Sequence, residues 1–204
     1  MHTDPSQCGR KKRTLIVGIG ATGLSCARHL AARGHELTLT DSRAEPPALP
    51  ALRELLPYVR VSTGGFDAAL LDEADQLIVS PGVSLEDPFV RTARERGLPI
   101  LGDIELFLAE ARAPVIAITG SNGKSTVTSL VAAMLSRAGA EVRAGGNLGA
   151  PALTLLAESE PDFYVLELSS FQLERTTSLR ARAAVVLNIS PDHMDRHASF
   201  EDYA

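Results

Sequence analysis

Two glycine-rich segments constrain this chain more than any other feature of its sequence. The first runs from Gly18 to Gly23 and the second from Thr119 to Thr126, and each lies between an apolar run and an alanine- or leucine-rich run. A glycine turn between a strand and a helix lets backbone N–H groups approach a phosphate at the helix N-terminus. Two such turns predict two α/β units that each hold a phosphorylated ligand.

Short apolar runs alternate with helix-like runs along the whole chain. Strands are predicted at 14–17, 36–40, 59–62, 76–79, 99–101, 115–119, 141–144, 163–168 and 183–189. Helices are predicted at 22–32, 87–96, 103–111, 124–138 and from 199, with a loop at 44–50. This alternation predicts the α/β class with parallel sheets. We expect a disordered tail at 1–12, a Rossmann-like domain at 13–112 and an incomplete P-loop α/β domain at 113–204.

Composition narrows the classes of protein. The chain has 204 residues, is 45% hydrophobic and carries a net charge of −5. The charge argues against a general nucleic-acid binder, which should be basic. No apolar run reaches the roughly 18 residues of a membrane-spanning helix. The two cysteines, Cys8 and Cys26, do not have metal-ligand spacing. They also do not indicate a disulfide framework, so a reducing cytoplasm is expected.

The second glycine segment suits the phosphates of a nucleotide. Lys124 would add a positive charge beside the phosphates, and Ser125 or Thr126 would offer a hydroxyl to Mg²⁺. Ile118 stands where the usual P-loop has its first glycine, so this is a variant loop. The plainer interpretation is a glycine turn with a solvated lysine. The strand before it and the helix after it disfavour that alternative.

Two further candidate ligands follow predicted strands, where ligands gather in open parallel sheets. Glu167 closes an apolar strand and could bind Mg²⁺, although it could instead cap the next helix. His193 follows the last strand and could bind a second metal ion, although a lone histidine is more often structural or solvated.

The first glycine segment has the spacing of a dinucleotide fingerprint, with Asp41 ending the next strand 18 residues beyond Gly23. Taken alone, it predicts an NAD-dependent oxidoreductase. The hydroxyl of Thr22 and the Ser42-Arg43 pair would serve a sugar nucleotide diphosphate equally well. The residues of this loop are therefore compatible with either NAD or a sugar nucleotide diphosphate.

Seven segments together resemble the Mur ligases of bacterial peptidoglycan synthesis, above all the members that add D-glutamate. These segments are 18–25, 41–43, 80–82, 119–126, 145–149, 166–172 and 188–195. The ATP loop at 119–126 is common to Mur ligases and folylpolyglutamate synthases. The dinucleotide-like loop and the stretch 168–172 are typical of the D-glutamate-adding members.

The resemblance implies a role for each candidate residue. UDP-substrate binding is implied for Ala21, Thr22, Gly23, Asp41, Ser42, Arg43, Ser80, Asn147 and His193. ATP binding is implied for Gly120, Ser121, Asn122, Gly123, Lys124, Ser125 and Thr126. Metal binding is implied for Ser125, Glu167 and His193, and a catalytic role for Lys124 and His193.

The implied reaction is ATP-dependent amide formation, in which D-glutamate is added to UDP-N-acetylmuramoyl-L-alanine through an acyl phosphate. ATP and Mg²⁺ would be required, and the protein would be a cytoplasmic monomer that binds neither nucleic acid nor membrane. The family has a third domain for the amino acid and a carbamylated lysine shortly beyond the position of Tyr203. A capping box at 199–202 opens a helix near the last residue, so we expect a truncated and inactive chain. The alternatives are an NAD-dependent oxidoreductase and a stand-alone nucleotide-binding module.

Overall fold

The computed structural model describes residues 11–157, 159–197 and 199–204. The chain divides into two compact units, Met1–Ile100 and Leu101–Ala204. Most of the predicted tail at 1–12 lies outside the described residues. Strands and helices alternate in both units, which confirms the α/β class.

The first unit is built on a five-stranded sheet in the order β3-β2-β1-β4-β5. Its elements are β1 (Arg13–Val17), α1 (Ala21–Ala31), β2 (Glu36–Asp41), α2 (Leu49–Leu55), β3 (Arg60–Thr63), a 3-10 helix (Ala68–Leu71), β4 (Gln76–Val79), α3 (Pro88–Glu95) and β5 (Ile100–Leu101). Strand β1 pairs in parallel with both β2 and β4. The chain therefore leaves β1 toward one side of the sheet and later crosses to the other side. Open parallel sheets usually bind their ligands at such a point, beyond the carboxyl end of the strand.

The central strands of this unit are apolar on both faces. All four residues of β4 are buried, as are four of the five in β1, because helices cover both sides of a parallel sheet. Leu15, Leu77 and Val79 share one core cluster with Phe89 of α3. This core holds the carboxyl ends of β1 and β4 in place.

The second unit is built on a four-stranded sheet in the order β7-β8-β6-β9, with every pairing parallel. Its elements are α4 (Asp103–Leu108), β6 (Val115–Thr119), α5 (Lys124–Arg137), β7 (Val142–Gly146), a 3-10 helix (Ala152–Ala157), β8 (Phe163–Glu167), α6 (Ser170–Leu173), β9 (Ala183–Val186) and α7 (Phe200–Tyr203). Strand β6 is central, so the glycine loop that follows it lies between the ends of β8 and β9.

Burial in the second unit is uneven. Tyr164, Val165 and Leu166 of β8 are buried, whereas all four residues of β9 are exposed. On α5, Leu130 and Met134 are also largely exposed. Among the described residues, no helix is long and apolar enough to cross a membrane.

Helix α4 belongs to the second unit, so the units divide earlier than the predicted boundary at 112. The Phe107 ring packs edge-on against Tyr164 with the ring centroids 4.9 Å apart. Gln172 Nε2 donates to Asp103 Oδ2 at 2.9 Å. These contacts join residues more than fifty positions apart, which local sequence patterns do not reveal.

The prediction of a loop at 44–50 was wrong at its end, because α2 begins at Leu49. Pro50 lies in the first turn of this helix. Backbone N–H groups in the first turn have no acceptor within the helix, so a proline, which has no N–H, is tolerated there. Helix α7 begins as the capping box predicts. The Ser199 side chain accepts a hydrogen bond from Asp202 N at 3.1 Å.

Replacing Phe107 with alanine should destabilise the chain. Phe107 is fully buried, so Phe107→Ala should lower the free energy of unfolding in urea by about 3–5 kcal/mol. The control Leu130→Ala removes a side chain that is 56% exposed and should change it by no more than about 0.5 kcal/mol. Equal effects of the two variants would contradict the packing of α4 described above.

Candidate functional site

The second glycine loop connects the central strand β6 to helix α5. Gly120 has a φ of +136°, and a Cβ on it would lie 3.0 Å from Asn188 O. Helix α5 has 14 residues, with no side chain capping its N-terminus and no acidic residue in its first turn. The first turn of α5 therefore contributes no carboxylate of its own against the positive end of the helix dipole, which favours an anion there.

The Lys124 side chain folds back onto the loop. Its Nζ donates to Gly120 O at 2.7 Å and to Ser121 O at 3.1 Å. A phosphate seated on the loop would therefore meet an ammonium group already in place. This arrangement supports the phosphate-binding interpretation over a solvated lysine.

A hydroxyl and a carboxylate meet behind the loop. Ser125 Oγ donates to Glu167 Oε2 at 2.8 Å, and Asn147 Nδ2 donates to Glu167 Oε1 at 2.7 Å. Glu167 is only 2% exposed. Mg²⁺ prefers hard oxygen ligands and takes one or two carboxylates, so Ser125 and Glu167 fit one such ion.

The alternative role of Glu167 as a helix cap was wrong. Helix α6 begins after Ser169, whose Oγ accepts a hydrogen bond from Gln172 N at 3.2 Å. Gln172 Oε1 accepts one from Ser169 N at 3.1 Å in return. This capping box leaves the Glu167 carboxylate to Ser125 and Asn147.

His193 lies in a strained backbone conformation near the same loop. Its φ is +53°, and its ring centroid is 4.9 Å from that of Phe171. Its side chain is about half exposed and lies 3.7 Å from the Asp192 carboxylate. No group of three metal-ligating side chains occurs among the described residues. Metal binding by His193 therefore stays a prediction.

A cleft of about 310 Å³ brings several of the predicted residues together. Its lining includes Gly120, Lys124, Asn147 and His193, which the sequence analysis had singled out. It also includes Ser169, Ser170, Phe171, Asn188 and Tyr203, for which no role was predicted. Most of these follow strand ends, and that position in a parallel sheet could have identified them.

Two predicted ATP-binding residues form hydrogen bonds to the part of the chain that follows β9. Ser121 is buried, and its Oγ donates to Ser190 O at 2.9 Å and contacts Tyr203 Oη at 2.7 Å. The backbone N–H of Asn122 donates to Asn188 Oδ1 at 2.8 Å. By contrast, Ser125 and Thr126 lie at the exposed start of α5.

The first glycine loop is closely packed. A Cβ on Gly23 would lie 1.9 Å from Gly18 O, so only glycine fits at position 23. Ser80 Oγ, beyond the end of β4, donates to Gly18 O at 3.0 Å. Helix α1 starts at Ala21 with no side-chain cap and no acidic residue in its first turn. Ala21 and Thr22 therefore lie at an N-terminus that can face an anion.

The Asp41 carboxylate is used within the protein. It accepts from Ile19 N at 2.7 Å and from the Arg43 guanidinium at 2.8 and 2.7 Å. Burial alone would raise the pKa of Asp41, but the hydrogen bonds from Arg43 and Ile19 outweigh it and lower that pKa to about 2. The fingerprint reserves this carboxylate for the ribose of NAD, so the geometry disfavours the NAD interpretation. Ser42 and Arg43 stay exposed beside it.

Both units match domains of one known protein family. Residues 12–102 match the Mur ligase MurD-like N-terminal domain, and residues 118–204 match the Mur ligase middle domain. A UDP-N-acetylmuramoylalanine–D-glutamate ligase of Nitrosococcus oceani is 58% identical over 203 residues, covering 100% of this chain and 45% of that protein. The enzyme of the same name from Coxiella burnetii is 52% identical, covering 93% of this chain and 43% of that protein. This chain thus spans less than half the length of the curated relatives it matches.

Solved structures agree on the fold. The ligase for UDP-N-acetylmuramate and L-alanyl-gamma-D-glutamyl-meso-diaminopimelate from Neisseria meningitides matches with a TM-score of 0.58 at 26% identity, covering 95% of this chain and 65% of that one. A murein peptide ligase from Psychrobacter arcticus matches with a TM-score of 0.54 at 21% identity, covering 90% and 44%.

The Asp41 contacts predict how stability depends on pH. The folded pKa lies below the ordinary value of about 3.9, so the ionised carboxylate stabilises the fold above about pH 4. This contribution, about 2 kcal/mol, is lost as the pH falls toward 2. Asp41→Asn should flatten the decrease in unfolding free energy over that range, as followed by circular dichroism.

A matched control is Asp72→Asn, at a carboxylate that is 71% exposed. This variant should keep the pH profile of the unsubstituted chain. An undiminished decrease in Asp41→Asn would contradict the role given to the Asp41 hydrogen bonds.

Proposed function

The chain belongs to the Mur ligase family, and we propose that its protein joins D-glutamate to UDP-N-acetylmuramoyl-L-alanine at the expense of ATP. The observation that carries this proposal is the phosphate loop of the second unit, backed by the Ser125–Glu167 pair. The first glycine loop would provide a second anion site, in the first unit. The high identity to relatives named as D-glutamate ligases supports the choice of amino acid.

The second unit would bind ATP. The first-turn N–H groups of α5 and the Lys124 ammonium would surround the terminal phosphates. Ser125 and Glu167 would hold Mg²⁺, which when bound would neutralise charge on the phosphates. Phosphoryl transfer depends mainly on such positioning and charge stabilisation.

The first unit would bind the uridine diphosphate of the second substrate. Thr22 lies at the N-terminus of α1, where the helix dipole favours phosphate. Arg43 is held by Asp41 yet has a half-exposed side chain, so its remaining N–H groups can donate to a nucleotide. Ser80 braces the loop through Gly18. In the second unit, Asn147 and His193 would lie on the substrate side of the ATP cleft.

The chemistry would proceed in two transfers. An oxygen of the substrate carboxylate attacks the γ-phosphorus, the bond to the β,γ-bridging oxygen breaks, and ADP leaves. The amine nitrogen of D-glutamate then attacks the acyl carbon and loses a proton, and inorganic phosphate leaves with the amide formed. The role of this chain is to hold the reacting groups and stabilise developing charge, since neither transfer needs a covalent bond to the protein. The reaction would take place in the cytoplasm on a monomeric protein.

Lys124 offers a direct test of the ATP site. Lys124→Ala should weaken ATP binding ten-fold or more, because a charge-assisted contact is worth about 1.5–3 kcal/mol. Isothermal titration of ATP and of UDP into the 204-residue chain measures this. UDP affinity should not change, because its predicted loop lies in the other unit.

Lys124→Arg keeps the charge and should retain more ATP affinity than Lys124→Ala. ATP binding that does not respond to the loss of Lys124 would overturn the assignment of this loop.

A further inference from the structure

We propose that Asn188 is a positioning residue that holds the phosphate loop in its binding conformation. The inference rests on the proposed function, since it concerns the same ATP loop. Asn188 lies just beyond the end of β9 at Val186, beside the loop that follows the neighbouring strand β6. In the sequence it belongs to the segment 188–195, and that segment alone indicates no role for it.

The Asn188 side chain pairs with one residue of the loop through both of its polar atoms. Its Oδ1 accepts from Asn122 N at 2.8 Å, and its Nδ2 donates to Asn122 O at 2.9 Å. A primary amide can donate and accept at once in this way, whereas a carboxylate only accepts and an alkyl group does neither. These two hydrogen bonds resemble those between paired residues of neighbouring strands, although both strands have already ended.

The Asn188 backbone adds a third contact. Its carbonyl oxygen accepts from Ser121 N at 3.0 Å. The same backbone lies so close to Gly120 that a Cβ there would meet Asn188 O at 3.0 Å and Asn188 N at 3.1 Å. Asn188 therefore contacts three consecutive loop residues, 120–122, and restricts their conformation. A second tie follows at Ser190, whose N–H donates to Ser121 Oγ at 2.9 Å.

The pairing also determines which amides can reach a ligand. The N–H groups of Ser121 and Asn122 are directed to Asn188. Phosphate contacts must then come from the amides that follow, at Gly123 and the first turn of α5, and from Lys124. The side-chain amide of Asn188 is thus occupied by Asn122. Asn188 therefore orients the loop but does not itself bind the phosphates through that amide.

The test compares ATP and UDP binding by isothermal titration in two variants. Asn188→Leu keeps the branching of the side chain but removes both of its hydrogen bonds, and Asn188→Asp keeps the acceptor but loses the donor and adds a negative charge. Asn188→Leu loses two hydrogen bonds that hold the loop, so it should weaken ATP binding about ten-fold. Asn188→Asp should weaken it at least as much, because its charge repels phosphate. Neither should change UDP affinity.

A control separates positioning from general destabilisation. Leu153 is 4% exposed in the 3-10 helix of the same unit, so Leu153→Ala should lower the melting temperature while ATP affinity stays the same. Amide hydrogen exchange gives a readout that needs no ligand. The Asn122 amide donates to Asn188 Oδ1, so it should be protected in the unsubstituted chain and exchange faster in Asn188→Leu, which removes that acceptor.

The outcomes are distinguishable. Unchanged ATP affinity in a folded Asn188→Leu or Asn188→Asp variant would overturn the positioning role while the proposed function stands. An unprotected Asn122 amide in the unsubstituted chain would overturn it as well, whether or not the leucine variant folds. Failure of the unsubstituted chain to bind ATP would overturn the proposed function, and the positioning role with it.

Discussion

The hydrogen bonds between each glycine loop and the ends of the adjacent strands are the interaction on which both candidate sites depend. A loop of small residues has little structure of its own, because glycine has the largest conformational freedom to lose. In the second unit, the loop after β6 is held by Asn188 beyond β9, and Ser125 at its far end is held by Glu167 of β8. The parallel order of the sheet brings these groups to one edge, although each partner lies more than forty residues along the chain from the loop residue that it holds.

In the first unit, different side chains hold the glycine loop in place. Its loop after β1 is held by Asp41 of β2 through Ile19 N and by Ser80 beyond β4 through Gly18 O. In both units, therefore, a central strand leads into the loop and its two neighbours supply polar side chains that fix the loop. The difference lies in charge. Lys124 stands within the second loop itself, whereas Arg43 reaches the first site from the end of the next strand. Such a difference suits a triphosphate in one unit and a nucleoside diphosphate in the other.

Much of this could be predicted from sequence because the signals are local. Buried parallel strands appear as short apolar runs, and a glycine turn that follows such a run marks a phosphate loop, so β1, β4, β6 and both loops were placed correctly. The role of Asp41 was only partly predictable, because its use by Ile19 and Arg43 depends on the folded loop. The division before α4 was missed because Phe107 is tied to the second unit by Tyr164, far along the chain. Asn188 was missed for the same reason, since its partner lies in a loop 66 residues earlier.

We propose that the two glycine loops bind different nucleotides, one in each unit. Amide hydrogen exchange of the chain, measured by mass spectrometry with UDP and with ATP in turn, tests this most directly. UDP should slow exchange around residues 18–24 and 41–43 alone, and ATP should slow exchange around 120–127 alone. Protection of one loop by both nucleotides, or of the first loop by NADH in place of UDP, would contradict it.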